Sequence, residues 1–193
     1  MIIFASHVPI GIRMHHLCTY LSPLGELTLA ADDEGLIGAW FKGQKYFAST
    51  LDERYSTVKT PLLEQAAAWL DRYFAGAEPG PIPPLHLQGT PFRLAVWAML
   101  RRIPYGTTTS YGRLARLLAR SQGLPSVSAQ AIGNAIGHNP ASIFIPCHRV
   151  VGHNGDPTGY AGGVDRKKAL LELEHSAARA RTLFPEEVLE PVM

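Results

Sequence analysis

The sequence predicts an α+β protein, with a small sheet and one helix in its first part and a mainly helical second part. Short apolar runs separated by turn residues fill residues 16–43, and helical spacing of apolar residues dominates residues 91–137. A proline-rich segment lies between the two regions. With 193 residues, of which 46% are hydrophobic and 18% charged, the chain can bury a core, which excludes general disorder.

The first elements are predicted to be a hairpin covered by a helix. The runs LTLA and LIGAWF flank the sequence DDEG (32–35), where a glycine with positive φ would close the turn. The segment 61–76 starts with proline, continues through good helix formers and ends at glycine. We therefore predict an N-terminal α/β subdomain over residues 16–77, preceded by a tail of residues 1–15.

A proline-rich linker is predicted at residues 78–90, because the segment from Glu78 through Pro91 contains five prolines, which prevent a regular ladder or helix. The charge changes sign across it. Residues 1–89 hold six basic and nine acidic residues, a net −3, whereas residues 90–182 hold 12 and four, a net +8. A basic excess confined to one half is the footprint expected for a polyanion such as DNA, and a solvated helical surface is the alternative.

The second part is predicted to contain three consecutive helices. Apolar residues within 92–103 recur at helical spacing, a second helix follows a cap at Thr109 or Ser110, and a third spans residues 127–137. Helix, helix, short turn and helix indicate a helix-turn-helix unit. The same order also occurs in ordinary helical bundles.

The outer face of the third predicted helix is small and uncharged. Ala129, Gln130 and Gly133 stand where a protein that reads the major groove would have arginine, lysine or asparagine. Small residues let a ligand backbone approach closely, so we expect non-specific contact with a widened minor groove in bent DNA. Tight packing against another helix, with no ligand, is the alternative.

The candidate reactive group is Cys147 in the sequence PCHR (146–149). It follows the apolar run SIFI (142–145), which we predict to be extended, and its basic neighbourhood favours the nucleophilic thiolate. Because adjacent side chains of an extended segment point to opposite sides, Cys147 and His148 would interact across a turn or through a water. A buried inert thiol is the alternative, and we assign Cys18 to the core in that way.

No metal or cofactor is predicted. The eight histidines and two cysteines show no ligand spacing such as C-x-x-C, and GYAGG (159–163) matches no nucleotide-binding fingerprint. We expect these glycines to let a loop turn over the cysteine, and a last helix to bring Glu174 towards it. We expect no signal peptide or membrane span, and two cysteines favour a reducing compartment, so the predicted location is cytoplasmic.

These motifs resemble those of the O6-alkylguanine-DNA alkyltransferases, also called methylated-DNA–protein-cysteine methyltransferases. The likeness extends from Pro91 to Glu174 and rests on three motifs: GHNP (137–140), PCHRVV (146–151) and GYAGG (159–163). A looser match covers SPLG (22–25) and the N-terminal sheet. The resemblance implies that the N-terminal subdomain is ribonuclease-H-like and that residues 91–175 form a winged helix-turn-helix subdomain, before a tail of residues 176–193.

The resemblance further implies DNA repair by a monomer, with irreversible transfer of an alkyl group from O6 of guanine in duplex DNA to Cys147. The base would be flipped out, and each molecule would react once because no neighbouring group hydrolyses a thioether. His148 would deprotonate the thiol through a water, and Glu174 would orient the imidazole. Asn139 would hold the turn around the cysteine, and Tyr111 would donate a proton or hydrogen bond to guanine. Contacts with DNA or the base are expected from Ala129, Gln130, Gly133, Arg149, Tyr160, Ala161 and Gly162.

Two positions depart from the family pattern. Gln130 stands where the family commonly has an arginine that enters the base stack, so the wedge is expected to be weaker or to come from residues 120–127. Ala161 stands where some members have serine, and it offers the base no side-chain hydrogen bond. Two other functions stay open: a protein that binds flipped guanine without chemistry, and a cysteine hydrolase built on Cys147, His148 and Glu174.

Overall fold

The computed structural model describes residues 14–51 and 54–181, and within them a sheet with one helix precedes a mainly helical part, so the predicted α+β class is confirmed. The elements of the first part are β1 (His15–Ser22), β2 (Gly25–Ala31), β3 (Leu36–Phe41), β4 (Tyr55–Ser56) and α1 (Pro61–Phe74). The strand order is β3-β2-β1-β4; β2 is antiparallel to both β1 and β3, and β4 is parallel to β1.

A side chain closes the turn between β2 and β3. Asp32 Oδ1 accepts hydrogen bonds from the N–H groups of Glu34, at 2.9 Å, and Gly35, at 3.0 Å. Such an Asx turn needs no left-handed residue, and the predicted positive φ at Gly35 is wrong. Gly35 meets a different requirement, because a Cβ there would lie 2.7 Å from the backbone nitrogen of His86.

The proline-rich linker and the segment before Cys147 both pair with the edge strand β3. Leu36 exchanges two backbone hydrogen bonds with residues 84–86, at 2.8 and 2.9 Å. Ala39 exchanges two with residues 140–142, at 2.9 and 2.8 Å. The edge of the sheet is therefore covered, and the two parts of the chain are joined by main-chain bonds.

The second part contains α2 (Pro91–Leu100), β5 (Thr109–Ser110), α3 (Tyr111–Ser121), α4 (Ala129–Gly137), a one-turn 3₁₀ helix (Cys147–Arg149), β6 (Val150–Val151) and α5 (Val164–Arg181). The short strands β5 and β6 pair in parallel. The third predicted helix starts at Ala129, two residues later than expected, because the Ser128 side chain accepts from the N–H of Ala131 and caps it. Helices α3 and α4 form the predicted helix-turn-helix.

A continuous apolar core runs from the sheet through α1 into the three helices α2, α3 and α4. Trp97 lies at its centre, fully buried, and its indole Nε1–H donates to the carbonyl of Ala135 on α4 at 2.9 Å. Truncating a buried tryptophan to alanine typically costs about 3–5 kcal/mol. Trp97 thus fixes α4 against the rest of the molecule.

Helix α5 continues to Arg181, beyond the predicted start of a tail at residue 176. Residues 1–13 and 182–193, which make up most of the two predicted tails, lie outside the described residues. Within the described part, no helix combines the length and apolar character that spanning a membrane requires.

Candidate active site

The segment before Cys147 is a tight turn. The predicted extended run over residues 142–145 is wrong, since Ile143 adopts a left-handed φ of 73° and Ser142 bridges to Ile145. The apolar pattern of SIFI reflects burial, which a strand and a buried turn share. The chain therefore reverses direction immediately before the cysteine.

Asn139 closes this turn from inside and reaches the thiol. Its Oδ1 accepts from the N–H of Ala141 at 3.0 Å, and its Nδ2 donates to the carbonyl of Ile145 at 2.9 Å. The same Nδ2 donates to Sγ of Cys147 at 3.0 Å. One amide thus links the shape of the turn to the position of the sulfur.

Cys147 is 3% exposed and begins the 3₁₀ turn. Burial raises the pKa of its thiol above 9.0, while the Asn139 amide, the Lys167 ammonium and the N–H groups of Cys147 and His148 act in the opposite direction. The side chain at rest is therefore a thiol at neutral pH. It needs a base to become a nucleophile.

The 3₁₀ turn directs the next side chain, His148, to Glu174 on α5. Nε2 of His148 lies 2.7 Å from Oε1 of Glu174. Since a carboxylate only accepts, Nε2 carries the proton of the neutral imidazole and Nδ1 carries the lone pair. Burial lowers the pKa of His148 below 6.5, helped by the charges of Arg149 and Lys167 and opposed by Glu174. Nδ1 is buried without a partner among the described residues, so it is available to a water or a substrate proton.

Five hydrogen bonds orient the carboxylate of Glu174. Oε1 accepts from His148, from the hydroxyl of Tyr73 at 2.7 Å and from Arg149 at 3.0 Å. Oε2 accepts from Nε of Arg149 at 2.8 Å and from the N–H of Gly106 at 3.0 Å. Burial favours the protonated acid, but His148 and Arg149 outweigh it and hold the pKa of Glu174 well below its usual range. The carboxylate is charged and rigidly placed.

Arg149 points inward, which differs from the contact with DNA or the base that the sequence suggested. Its guanidinium donates to both oxygens of Glu174 and to the carbonyl of Ile103 at 2.6 Å, and the residue is 8% exposed. Its charge is balanced inside the protein. The placement fits support of Glu174 and does not fit a DNA contact.

A loop of residues 158–163 holds its carbonyl groups in protein hydrogen bonds. The donors are Tyr111 and Lys167 for Thr158 (2.9 and 2.7 Å), Lys167 for Gly159 (3.1 Å), Gly163 for Tyr160 (3.0 Å), Lys45 for Ala161 (3.0 Å) and Arg166 for Gly162 (2.8 Å). No acceptor in the described part of the chain pairs with the N–H groups of residues 160–162. What the loop can offer a ligand is therefore a set of N–H donors.

Tyr111 and Lys167 both donate hydrogen bonds to this loop, and both interact electrostatically with Cys147. Burial raises the pKa of the Tyr111 hydroxyl, and the negative charge of Cys147 in its thiolate form raises it further, so Tyr111 is protonated at neutral pH. Lys167 is fully buried and donates to the carbonyls of Val150, Thr158 and Gly159; burial lowers its pKa from 10.5 to about 8. Its Nζ lies 5.8 Å from the centre of the Tyr111 ring.

The outer face of α4 is open. Ala129 and Gln130 are exposed, and a Cβ added at Gly133 would approach nothing closer than the Tyr111 ring at 3.9 Å. A Cβ at Gly137 would meet no described atom within 4 Å. The small residues are therefore not required for packing against another described helix, and that alternative is wrong. They leave a surface that a ligand can approach.

Three residues of the site were not predicted: Tyr73, Arg166 and Lys167. Tyr73 comes from α1, 75 positions before His148, and a helical tyrosine carries no local sign of such a contact. Lys167 had a signal, because it shares the inward stripe of α5 with Leu170, Leu171 and Glu174 at i+3, i+4 and i+7. A lysine on the apolar face of a helix predicts a buried hydrogen-bond or ionic partner, because lysine is rarely buried without one.

Among the described residues, no group of three or more histidine, cysteine, aspartate and glutamate side chains could hold a metal ion.

The fold and the site define a class of protein in which a helix-turn-helix lies beside a buried thiol and an imidazole–carboxylate pair. Residues 16–82 match the family model of the ribonuclease-like domain of 6-O-methylguanine DNA methyltransferase. Residues 91–176 match the model of its DNA binding domain. The chain belongs to the methylated-DNA–protein-cysteine methyltransferase family, and the resemblance found in the sequence is confirmed.

Similar proteins cover most of the chain. The methylated-DNA–protein-cysteine methyltransferase of Mycobacterium tuberculosis is 44% identical over 172 residues, 89% of this chain and 99% of that protein. The constitutive enzyme of Bacillus subtilis is 39% identical over 160 residues, 82% and 93% of the two chains. A crystal structure of Mycobacterium tuberculosis OGT in complex with DNA has a TM-score of 0.72 and 40% identity, covering 86% of this chain and 94% of that one.

Proposed function

We propose that this protein repairs duplex DNA by moving an alkyl group from O6 of guanine to Sγ of Cys147. The observation that carries this proposal is the buried cluster of Cys147, His148 and Glu174 beside the open face of α4. The relatives are named for methylated DNA, and a similar structure contains DNA. A monomeric state and a cytoplasmic location stay predictions.

The first step activates the thiol. Nδ1 of His148 takes the proton of Cys147 through a bridging water, and the imidazolium that forms is stabilised by the charged carboxylate of Glu174. The Nδ2–H of Asn139 then donates to a thiolate, and such a charge-assisted bond is stronger than the same bond to a thiol. The charge of Lys167 acts in the same direction.

The second step transfers the alkyl group. The thiolate attacks the alkyl carbon, the S–C bond forms as the C–O6 bond breaks, and guanine leaves with the electron pair. Tyr111 stabilises that leaving group by donating a hydrogen bond or its proton, for which its hydroxyl exchanges the carbonyl of Thr158 for the base. The product is a thioether without a good leaving group, so each molecule reacts once.

The DNA lies against α4, with Ala129, Gln130 and Gly133 close to its backbone. A helix of about 10 Å diameter enters a minor groove of about 6 Å only if the groove widens, so the DNA bends. The target guanine leaves the stack and meets the free N–H groups of residues 160–162. Phosphates are attracted by the exposed arginines of the basic half of the chain: Arg101, Arg102, Arg113, Arg116 and Arg120.

The test is mass spectrometry after incubation with a duplex that contains one O6-methylguanine. We expect a gain of one methyl group on the peptide that contains Cys147, the same gain in Cys18→Ser, and none in Cys147→Ser. A duplex with ordinary guanine is the control for the lesion. An unmodified protein that shifts the damaged duplex would instead select a binding protein without chemistry, and an absence of both effects would leave the cysteine hydrolase.

A further inference from the structure

Arg166, in the first turns of α5, connects the loop over Cys147 to the N-terminal sheet. One guanidinium nitrogen donates to the carbonyl of Gly162 at 2.8 Å, and Nε donates to the carbonyl of Leu24 at 3.0 Å. The central carbon of the guanidinium lies 4.7 Å from the centre of the Phe41 ring, at the end of β3. One side chain therefore touches the loop, the β1–β2 turn and the sheet.

The loop meets the same region of the sheet at two further points. The N–H of Lys45 donates to the carbonyl of Ala161 at 3.0 Å. A Cβ added at Gly162 would lie 3.2 Å from the Phe41 ring, so no space separates the loop from the end of β3. The loop rests on the N-terminal subdomain over consecutive residues.

We propose that the N-terminal subdomain is a rigid support for this loop and that Arg166 is the positioning residue that couples them. The inference rests on the proposed function, because the loop is the wall that would receive the alkylated guanine. A planar guanidinium presents donors in several directions while its face stacks on an aromatic ring, which suits a bridge between two carbonyls and Phe41. An ammonium group cannot make the same three contacts at once.

The position of the loop determines where the base sits relative to the sulfur. Arg166 holds the carbonyl of Gly162, whose peptide plane carries the N–H of Gly163. That N–H donates to the carbonyl of Tyr160 at 3.0 Å, and this carbonyl shares its peptide plane with the free N–H of Ala161. The bond from Lys45 to the carbonyl of Ala161 fixes the plane of the Gly162 N–H in the same way. A misplacement of about 1 Å costs about 100-fold in rate for a well-aligned reaction. Loss of Arg166 is therefore expected to slow methyl transfer more than it weakens DNA binding.

A direct phosphate contact is the competing role for an arginine in the basic half of the chain. The two roles differ in what they need from the substrate. A support for the loop affects any alkylguanine, including the free base O6-methylguanine. A phosphate contact affects only DNA.

The experiment compares Arg166→Met, which keeps an aliphatic stem, with Lys168→Met, an exposed neighbour on the same helix. We measure single-turnover methylation with duplex and with free base, and the Kd for an undamaged duplex. Arg166→Met is expected to be about tenfold slower with both substrates, on the scale of one lost charge-assisted bond, with a Kd within about twofold of the unaltered protein. Lys168→Met is expected to keep both rates.

Three outcomes would overturn the inference. Slower reaction with duplex alone, together with a weaker Kd, would assign Arg166 to phosphate. Unchanged rates in Arg166→Met would remove its role. Full recovery in Arg166→Lys would mean that charge suffices and the bridge does not matter.

Amide hydrogen exchange keeps the test informative if Arg166→Met loses stability. Faster exchange confined to residues 159–163 supports the inference, and equal acceleration in α1 and α4 counts against it. The unaltered protein separates this inference from the proposed function. If the unaltered protein does not become methylated at Cys147, the proposed function is wrong. If the unaltered protein and Arg166→Met are both methylated at the normal rate, only the inference about Arg166 is wrong.

Discussion

Cys18 and Cys147 are the two cysteines of this chain, and burial raises the pKa of both thiols. Cys18 lies on β1 opposite Leu29, half-buried, and the charge of Lys59 opposes the effect of burial. Cys147 has a hydrogen-bond donor in Asn139, a buried ammonium and backbone N–H groups. The thiols differ in the groups aimed at them, and burial alone does not distinguish a reactive cysteine from a packed one.

Backbone geometry produces this difference. A regular strand sends the neighbours of Cys18 to alternating faces, so no side chain adjacent in sequence joins it. The reversal at Ile143 and the 3₁₀ turn at Cys147 bring together groups that lie before and after the thiol. A turn can therefore bring functional groups that are close in sequence to one thiol, whereas a strand places them on opposite faces.

The largest expected effect tests the comparison directly. Cys147→Ser is expected to abolish methyl transfer, because a serine hydroxyl is a far weaker nucleophile with the same base. Cys18→Ser is expected to keep the single-turnover rate within about twofold, since no base in the described part of the chain hydrogen-bonds to its thiol. The measurement is transfer from a radiolabelled duplex, followed by mapping of the peptide. Methyl groups on Cys18 would contradict the assignment.

Removal of the base is expected to have the next largest effect. His148→Ala is predicted to slow transfer by about 100-fold to 10,000-fold at pH 7, the usual contribution of a general base. Because the thiol pKa of Cys147 is raised above 9.0, the variant is expected to recover rate steadily towards alkaline pH. A rate that does not rise with pH would contradict this role.

The unaltered protein is expected to show the complementary pH profile. The pKa of His148 lies below 6.5, so the imidazole is neutral at pH 7 and the rate is level there. As pH falls through that lowered pKa, the imidazole gains a proton, the base is lost and the rate drops. Single-turnover rates between pH 5 and 8 check this, and a fall that begins above pH 7 would argue against a neutral base.

A smaller effect is expected at Asn139, which sharpens the comparison to one hydrogen bond. Asn139→Ala removes the donor to the sulfur and is predicted to raise the thiol pKa of Cys147 further, with about tenfold slower transfer. The variant also leaves the N–H of Ala141 unpaired, at a cost of about 1–3 kcal/mol, whereas the carbonyl of Ile145 keeps its hydrogen bond from the N–H of Cys147.

The measurement for Asn139→Ala follows the alkylation of both cysteines by a small reagent as a function of pH, using peptide masses. The thiol pKa of Cys18 serves as the internal control and is expected to stay constant. A shift in both cysteines would indicate a general change of structure rather than the loss of one bond.

The smallest expected effect belongs to a residue that touches neither thiol. Gln130 is exposed on α4, and Gln130→Arg is predicted to tighten duplex binding by about 1 kcal/mol, through a stacked or charge-assisted contact. Titrations at two salt concentrations check this, with a larger gain expected at low salt. Equal or weaker affinity would favour residues 120–127 as the source of the wedge.

Local patterns were sufficient to predict the helices, the hairpin and the family. Helical spacing found α2, α3 and α4, and an ordered set of motifs singled out Cys147 and His148. The direction of the side chains around Cys147 was harder to predict. A 3₁₀ turn and an extended segment can have the same apolar sequence pattern, but they direct the side chain of Arg149 to different places. The hydrogen bond between Tyr73 and Glu174, which are 101 positions apart, left no sign in the sequence.

The main-chain bonds that Ala39 makes with residues 140–142 have a consequence for how the molecule assembles. During synthesis, β3 is complete about a hundred residues before the segment 140–142 that pairs with its outer edge is made. Until then the backbone amides of that edge are unpaired, and an unpaired strand edge can associate with other chains. A fragment that ends at the linker is expected to aggregate, and heating the intact protein is expected to melt both halves in one cooperative step.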